Sequence, residues 1–327
     1  MRASACWVLA ALLLAGCGSG NGTVGAAPSP AAPSVTAAQA AAVVQAYQRK
    51  NNKVNADADS AGLAAIETSP LRTADQALMT ISTNLKQSAQ PITYTDPQFV
   101  SPAQTGFPRW FLSISLRVIG GVPAPQPTYD VYVQDAPSAP FLAAFALTPV
   151  DQENVGPFAL NAAGAATPVT SSTGLLLAPS DLGRAITAHY LQGLRGKDAF
   201  SYSAVLDDDL GTGFVTAVRL LNSEGVRLTR ILNSVDPRSF VLRTADGGAL
   251  AFTADVVTDY LTTTTPNAQV SLGAGSNDAA LAGKPQGLAA KSLTIERLEM
   301  FMTYIPTTAS GMQAKVLAYS ETAVSVR

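Results

Sequence analysis

The 327-residue chain has two cysteines, Cys6 and Cys17, and both stand within its first seventeen residues. Everything beyond them must fold without a disulfide, a thiolate metal site or a cysteine nucleophile. Its stability has to come from an apolar core, and a chain of this length can bury one.

Cys17 carries a second message through its neighbours. Leu14-Ala15-Gly16-Cys17 reads as a lipobox, where an exported precursor is cut and the new N-terminal cysteine is acylated. Arg2 supplies a positive n-region and Trp7 to Leu14 a short apolar run, the parts of an export signal. The run is far shorter than the roughly 18–20 residues that span a bilayer. The competing reading is an ordinary cleaved signal in which Cys17 falls by chance. With the lipobox, residues 1–17 are a signal peptide and Cys17 is the lipidation site. Two or more acyl chains then hold the protein stably on the extracytoplasmic face of the cell membrane.

Apolar residues make up 47% of the chain, as in globular proteins, and charged residues 13%, well below the usual quarter. Lys and Arg number 21 and Asp and Glu 23; loss of Arg2 with the leader leaves 20 against 23, a net charge of −3. A nucleic-acid partner, which needs clustered cations, is not expected. Attraction to anionic lipid is weak as well, so membrane binding falls to the anchor.

Residues 18–35, with Gly18, Gly20 and Gly22 followed by Pro28, Pro30 and Pro33, read as a flexible tether. Thr36 to Gln39 fits a capping box, and Ala40, Val43, Val44 and Tyr47 then recur at helical spacing. Thr73 to Gln76 repeats the box before Ala77, Leu78, Ile81 and Leu85. Trp110, Leu112, Ile114, Leu116 and Val118 alternate as on one strand face. Tyr129 to Val133 and Phe141 to Leu147 read as a hairpin about the Asp135–Ser138 turn.

Residues 151–175, rich in Ala, Gly, Thr and Ser, read as a linker, after which the order begins again. Ser180 caps a helix with Leu182, Ile186, Tyr190 and Leu194 on one face; a second starts near Thr212 and stops at Gly225. Phe240–Arg243 and Ala249–Phe252 flank Asp246-Gly247-Gly248 as a hairpin. Asp255–Thr264 is strand-like, 266–290 loop-like, and 294–304 with 312–326 form a last hairpin. The expected fold is α+β: two tandem domains, 36–150 and 176–327, each with N-terminal helices packed on a curved antiparallel sheet. Duplication of one unit stands against a single irregular α+β domain, since residue identity between the halves is negligible.

The lipobox, the helix-first halves and the segments Pro108-Arg109-Trp110-Phe111 and Ala136 to Phe141 together resemble an uncharacterised family of actinobacterial lipoproteins. Element order in each half is similar to the nuclear transport factor 2-like and cystatin-like superfamily, a long helix held in a curved antiparallel sheet. The family resemblance implies no assigned activity. The superfamily resemblance implies enzymes, binders and assembly modules alike, so function has to come from the site.

His189 is the sole histidine. The superfamily resemblance offers it as a general base in a conical pocket, oriented by Asp181 or Asp198; the plainer reading is a histidine at the edge of the core. One His without Cys makes a zinc site improbable, and no metal or cofactor is expected. Asp207-Asp208-Asp209 lacks the ligand spacing of a calcium loop and suits a solvated turn before a helix N-terminus. Gly273-Ala274-Gly275 lacks the third glycine of a dinucleotide fingerprint, and no Gly-x-Ser-x-Gly elbow is present. Glu296 and Glu299, three apart on a strand, point to opposite faces. Met300, Met302 and Tyr304 line either an apolar groove or the core. The leading expectation is a non-catalytic binding or interaction module whose partner is an envelope protein, a wall polymer or a small apolar ligand. The alternatives are an enzyme using His189 and a passive spacer.

Overall fold

A computed structural model describes residues 30–150, 155–191, 200–202, 206, 210 and 212–327. Cys17, Asp198 and Asp207–Asp209 lie outside the described residues. Ala31–Arg327 is one compact unit, and its fold is α+β.

Helix α1 (Ala37–Ala56) starts at the expected box: Thr36 Oγ1 accepts the Gln39 N–H at 3.2 Å, and Gln39 Oε1 accepts the Thr36 N–H at 3.0 Å. Ala40, Val44, Tyr47 and Asn51 form its buried stripe. Helix α2 (Leu71–Asn84) begins two residues before Thr73, behind Pro70, whose carbonyl accepts the Ala74 N–H at 3.2 Å. Proline loses no helical hydrogen bond at that point, so the helix starts there rather than at the threonine. The earlier start turns Leu71, Ala74, Ala77 and Ile81 inward and leaves Leu78 exposed.

Strands β1 (Ile92–Val100), β2 (Arg109–Ile119), β3 (Val122–Gln134) and β4 (Leu142–Leu147) form an antiparallel sheet in that order. The expected 135–138 turn joins β3 to β4. Strand β1 has no counterpart in the sequence reading. Asp96 and Pro97 break its alternation, Asp96 takes φ +50°, and the register slips between Thr95 and Gln98. This is a bulge on an edge strand, where proline is tolerated.

The second half runs α3 (Leu182–Leu191), β5 (Phe200–Tyr202), α4 (Phe214–Ser223), β6 (Val226–Val235), β7 (Phe240–Arg243) and β8 (Ala249–Thr263). It continues with β9 (Val270–Leu272), α5 (Asn277–Leu281), β10 (Leu288–Ala290), β11 (Ser292–Ile305) and β12 (Ala314–Val326). Its large sheet has the order β5-β12-β11-β8-β6, with β7 also paired to β8 and only β5 parallel to its neighbour. The Asp246-Gly247-Gly248 turn joins β7 to β8, with Gly247 at φ +87°. The expected loop 266–290 holds the β9–β10 pair and α5, which Ser276 caps by accepting the Ala279 N–H at 3.2 Å. In spatial order β6-β8-β11-β12 repeats β1-β2-β3-β4, and each meander follows two helices.

The two sheets pack face to face. Trp110 of β2 meets Phe240 of β7 edge-on at 5.2 Å, and Phe145 of β4 meets Phe240 at 5.9 Å and Phe252 of β8 at 6.0 Å. Val131, Met302 and Leu250 are buried in the same cluster. Helix α1 lies on β1 and β2, and α3 on β6 and β8. The layers therefore run helix, sheet, sheet, helix. The described residues at the end of the tether and in the 151–175 segment are fastened to this body. Ser34 N–H donates to Pro102 O at 3.0 Å and Val35 is buried, while 155–175 bridges to Pro102, Leu242, Thr244 and Thr307.

Helix α3 sits close to its sheet because Gly183 has no side chain. A Cβ there would lie 2.2 Å from Asp255 Oδ1 on β8. Gly183→Ala should cost about 1–3 kcal/mol by overpacking. Asp255→Ala in the same chain should restore part of that loss. Denaturant unfolding of the two single variants and the double decides it, and strict additivity would show that the two groups do not meet.

Candidate functional site

A cavity of about 510 Å³ opens between α1, α2 and the end of the first sheet, within the size range of small-ligand sites. Helix α1 contributes Tyr47, Asn51 and Asn55, helix α2 contributes Asp75, Leu78 and Met79, and β2 contributes Arg117 and Ile119. Met300 and Thr322 of the second sheet close the far wall. Helix periodicity explains the first two groups: Tyr47, Asn51 and Asn55 are spaced i, i+4, i+8, and Asp75, Leu78 and Met79 are spaced i, i+3, i+4.

The polar floor begins with Tyr47, whose hydroxyl donates to Glu67 Oε1 at 2.9 Å. Glu67 is fully buried, and no donor of the protein reaches its Oε2. Asp75 is near enough for the two carboxyls to perturb each other. Burial raises the Glu67 pKa to about 8, and the Asp75 charge adds to the rise. Burial also raises Asp75, to about 6, against the opposing pull of Arg117 and of Glu67. Two carboxyls this close cannot both ionise in a dry site, so one proton is shared and resides on Glu67.

Arg117 Nη2 lies 3.2 Å from Asp130 Oδ1, and its guanidinium stands 5.6 Å from the centre of the Tyr94 ring. Burial opposes the Arg117 charge, but Tyr94 and Asp130 outweigh it. Burial raises Asp130 to about 6 although Arg117 holds it down. At pH 7 the floor therefore carries Asp75, Asp130 and Arg117 charged and Glu67 neutral, one negative charge in all. Tyr132, stacked on Phe111 at 5.0 Å and edge-on to Tyr47 at 5.5 Å, walls this group off from the sheet behind.

The outer face of the second sheet carries a different arrangement. Arg230 of β6 holds Asp259 of β8 through Nε at 2.6 Å and Nη2 at 2.8 Å, and its Nη1 lies 3.2 Å from Glu299 and 3.1 Å from Glu321. Arg297 adds a bond to Asp259 at 2.7 Å and one to Asp278 at 2.8 Å. Although burial raises it, the two guanidiniums together hold Asp259 below the usual carboxylate range. Burial raises Glu299 to about 8, and it accepts the Tyr190 hydroxyl at 2.7 and 2.8 Å. Phe214 covers Arg230 at 5.0 Å. Both guanidiniums are engaged by the protein's own carboxylates, so this cluster locks α3 to its sheet.

His189 is buried on α3, its ring 5.5 Å from that of Phe200. Asp181 is exposed just before that helix, about 12 Å along its axis at 1.5 Å per residue, so the helix does not bring the two together. Glu296 pairs with Arg327 at 2.6 Å, while Glu299 is buried beneath Tyr190. Met300 and Met302 belong to the core between the sheets, and Tyr304 donates to Asp246 at 2.6 Å. The carboxyl pair the fold does assemble, Glu67 and Asp75, escaped the sequence reading. Its members stand eight residues apart, one in an irregular segment and one on a helix, and no spacing rule joins them.

Fold and cavity together define a class: an α+β body of two back-to-back, helix-covered sheets with a ligand-sized cavity in its first half. The family described as Domain of unknown function (DUF8094) matches residues 31–327, and the chain belongs to it. No curated protein and no solved structure matches the chain.

Glu67 and Glu299 keep their protons to about pH 8 when folded but release them near 4.3 when unfolded. Their contribution is complete below the unfolded value and is lost as pH rises toward 8. The melting temperature should fall between pH 5 and pH 8, each group costing at most about 1.4 kcal/mol per pH unit. Glu67→Gln should flatten that fall. A thermal-melt series with an unchanged slope in the variant would refute the shared proton.

Proposed function

We propose that the chain is an extracytoplasmic lipoprotein, anchored to the membrane through Cys17, whose first-half cavity binds a small molecule without transforming it. The cavity carries this reading: its volume suits a small ligand, and it combines apolar and polar walls with one acid, Asp75, and one base, Arg117. Asp75 lines the cavity while Glu67 stands behind it, so only one carboxyl of the pair is presented to a guest. The anchor rests on Leu14-Ala15-Gly16-Cys17 after an apolar run. No helix among the described residues is long and apolar enough to cross a membrane. The resemblance to actinobacterial lipoproteins, and in each half to the nuclear transport factor 2-like and cystatin-like arrangement, agrees with a binding body on a tether. The repeated meander favours internal duplication.

In this reading Cys17→Ala shifts the protein from the detergent phase to the aqueous phase on Triton X-114 partitioning. Partitioning that does not change rules out the anchor. Ser82→Trp, whose indole stands in the cavity, loses the small molecules that native mass spectrometry finds taken up by the wild-type chain. A wild-type chain that takes up none is a passive spacer.

A further inference from the structure

We infer that the cavity selects a primary ammonium carried on a short apolar body. This rests on the binding role proposed above and names the ligand class for that same site.

The wall needs a donor and a positive charge. Asp75 faces the cavity, and its neighbours supply no free cation: Arg117 is held by Asp130 at 3.2 Å, and the Tyr47 hydroxyl is spent on Glu67 at 2.9 Å. Arg117 Nε is buried and makes no hydrogen bond in the protein, and a single N–H on a guanidinium already paired to Asp130 does not offset the Asp75 charge. Glu67 Oε2 receives no donor either, although Glu67 is fully buried. The Asp75 carboxylate is the charged member of the pair and the one that faces the cavity; a charged carboxylate in so dry a place is costly, and an entering cation relieves it. An anion would instead stand beside Asp75, with only the Arg117 guanidinium, already paired to Asp130 at 3.2 Å, to meet it. An ammonium provides three N–H donors for one compact charge, matching a carboxylate with acceptor capacity to spare.

Amid polar side chains such as Asn51, Asn55, Ser82 and Thr322, the cavity carries an apolar strip along which an alkyl group would lie. Leu78 and Ile119 stand exposed at its rim, 42% accessible each, and Met79 and Met300 continue inward. Exposed leucine and isoleucine lining one opening favour a guest with an apolar part. The flexible methionines let its length vary. The comparable cluster around Arg230 offers no such demand, since Asp259 is already held by two guanidiniums.

The test is isothermal titration of the full chain at pH 7 with hexylammonium, hexanol and hexanoate, three guests of one body and different heads. Hexylammonium should bind at least about tenfold more tightly than hexanol, the range of a hydrogen bond to a charged group, with hexanoate weakest. Asp75→Asn, close in shape and uncharged, should abolish the preference for the amine while leaving hexanol affinity within about twofold. Equal affinities, or a preference for hexanoate, would overturn the selection of an ammonium and leave the binding cavity standing. No binding by any of the three would overturn the binding cavity together with the inference. A melt of Asp75→Asn matching the wild type excludes misfolding as the cause of a lost preference.

Discussion

The aromatic seam between the sheets is the constraint from which the rest follows. Trp110, Phe145, Phe240 and Phe252 meet at 5.2–6.0 Å in edge-on and tilted contacts, each worth about 0.5–1.5 kcal/mol beyond the area it buries. A sheet committed to the seam on one face has only its other face to offer helices. Residues 110–113 of β2 are accordingly buried on both sides, Trp110 and Leu112 toward the seam and Phe111 and Ser113 toward α1. Polar side chains on the helix-covered faces are then trapped beneath cover and must find partners. This is why a body with few charges nonetheless buries Glu67, Asp130, Asp255, Asp259 and Glu299.

The two covered faces solve this differently. In the second half α3 approaches so closely that Gly183 touches Asp255, and Arg230 and Arg297 neutralise Asp259. In the first half α1 and α2 leave space between them, and a single arginine serves Asp130 and Asp75 with Glu67 behind. The pKa directions record the contrast: two guanidiniums draw Asp259 down, while burial drives Glu67 up. A buried pair that is fully met confers rigidity. One that keeps a shared proton and a cavity beside it retains capacity for a guest.

What could be read in the sequence was local and periodic. The Thr36 box, the strand pairs about 135–138 and 246–248, and the closing hairpin all rest on contacts between near neighbours, and all are present. Strand β1 stayed hidden because Asp96 and Pro97 break its alternation. Strand β6 alternates well, but Arg230 within it carried no motif. The face-to-face union of the halves had no sequence signature, since Trp110 and Phe240 look like ordinary core residues until their sheets meet. The site lay further still from legibility. Tyr47 read as one more apolar position on a helix, Asp75 stood inside the Thr73–Gln76 box, and nothing in the pattern singled out Glu67 or Arg117.

The position of the cavity also bears on how a tethered body would use it. Residues 34 and 35 are pinned beside Pro102 and Ser101, at the start of α1. The cavity takes its residues from the other end, and Asn55 lies about 28 Å along the helix axis from Thr36 at 1.5 Å per residue. Between 17 and 31 the chain is long enough to reach about 40 Å when extended. In the proposed reading, tension on the tether is taken up by the Thr36 cap and the 101–103 segment, and the guest site stands at the far end of α1. In the same reading the load on the tether and the binding of a guest fall on opposite ends of α1, so a pull at Thr36 need not disturb Tyr47, Asn51 and Asn55.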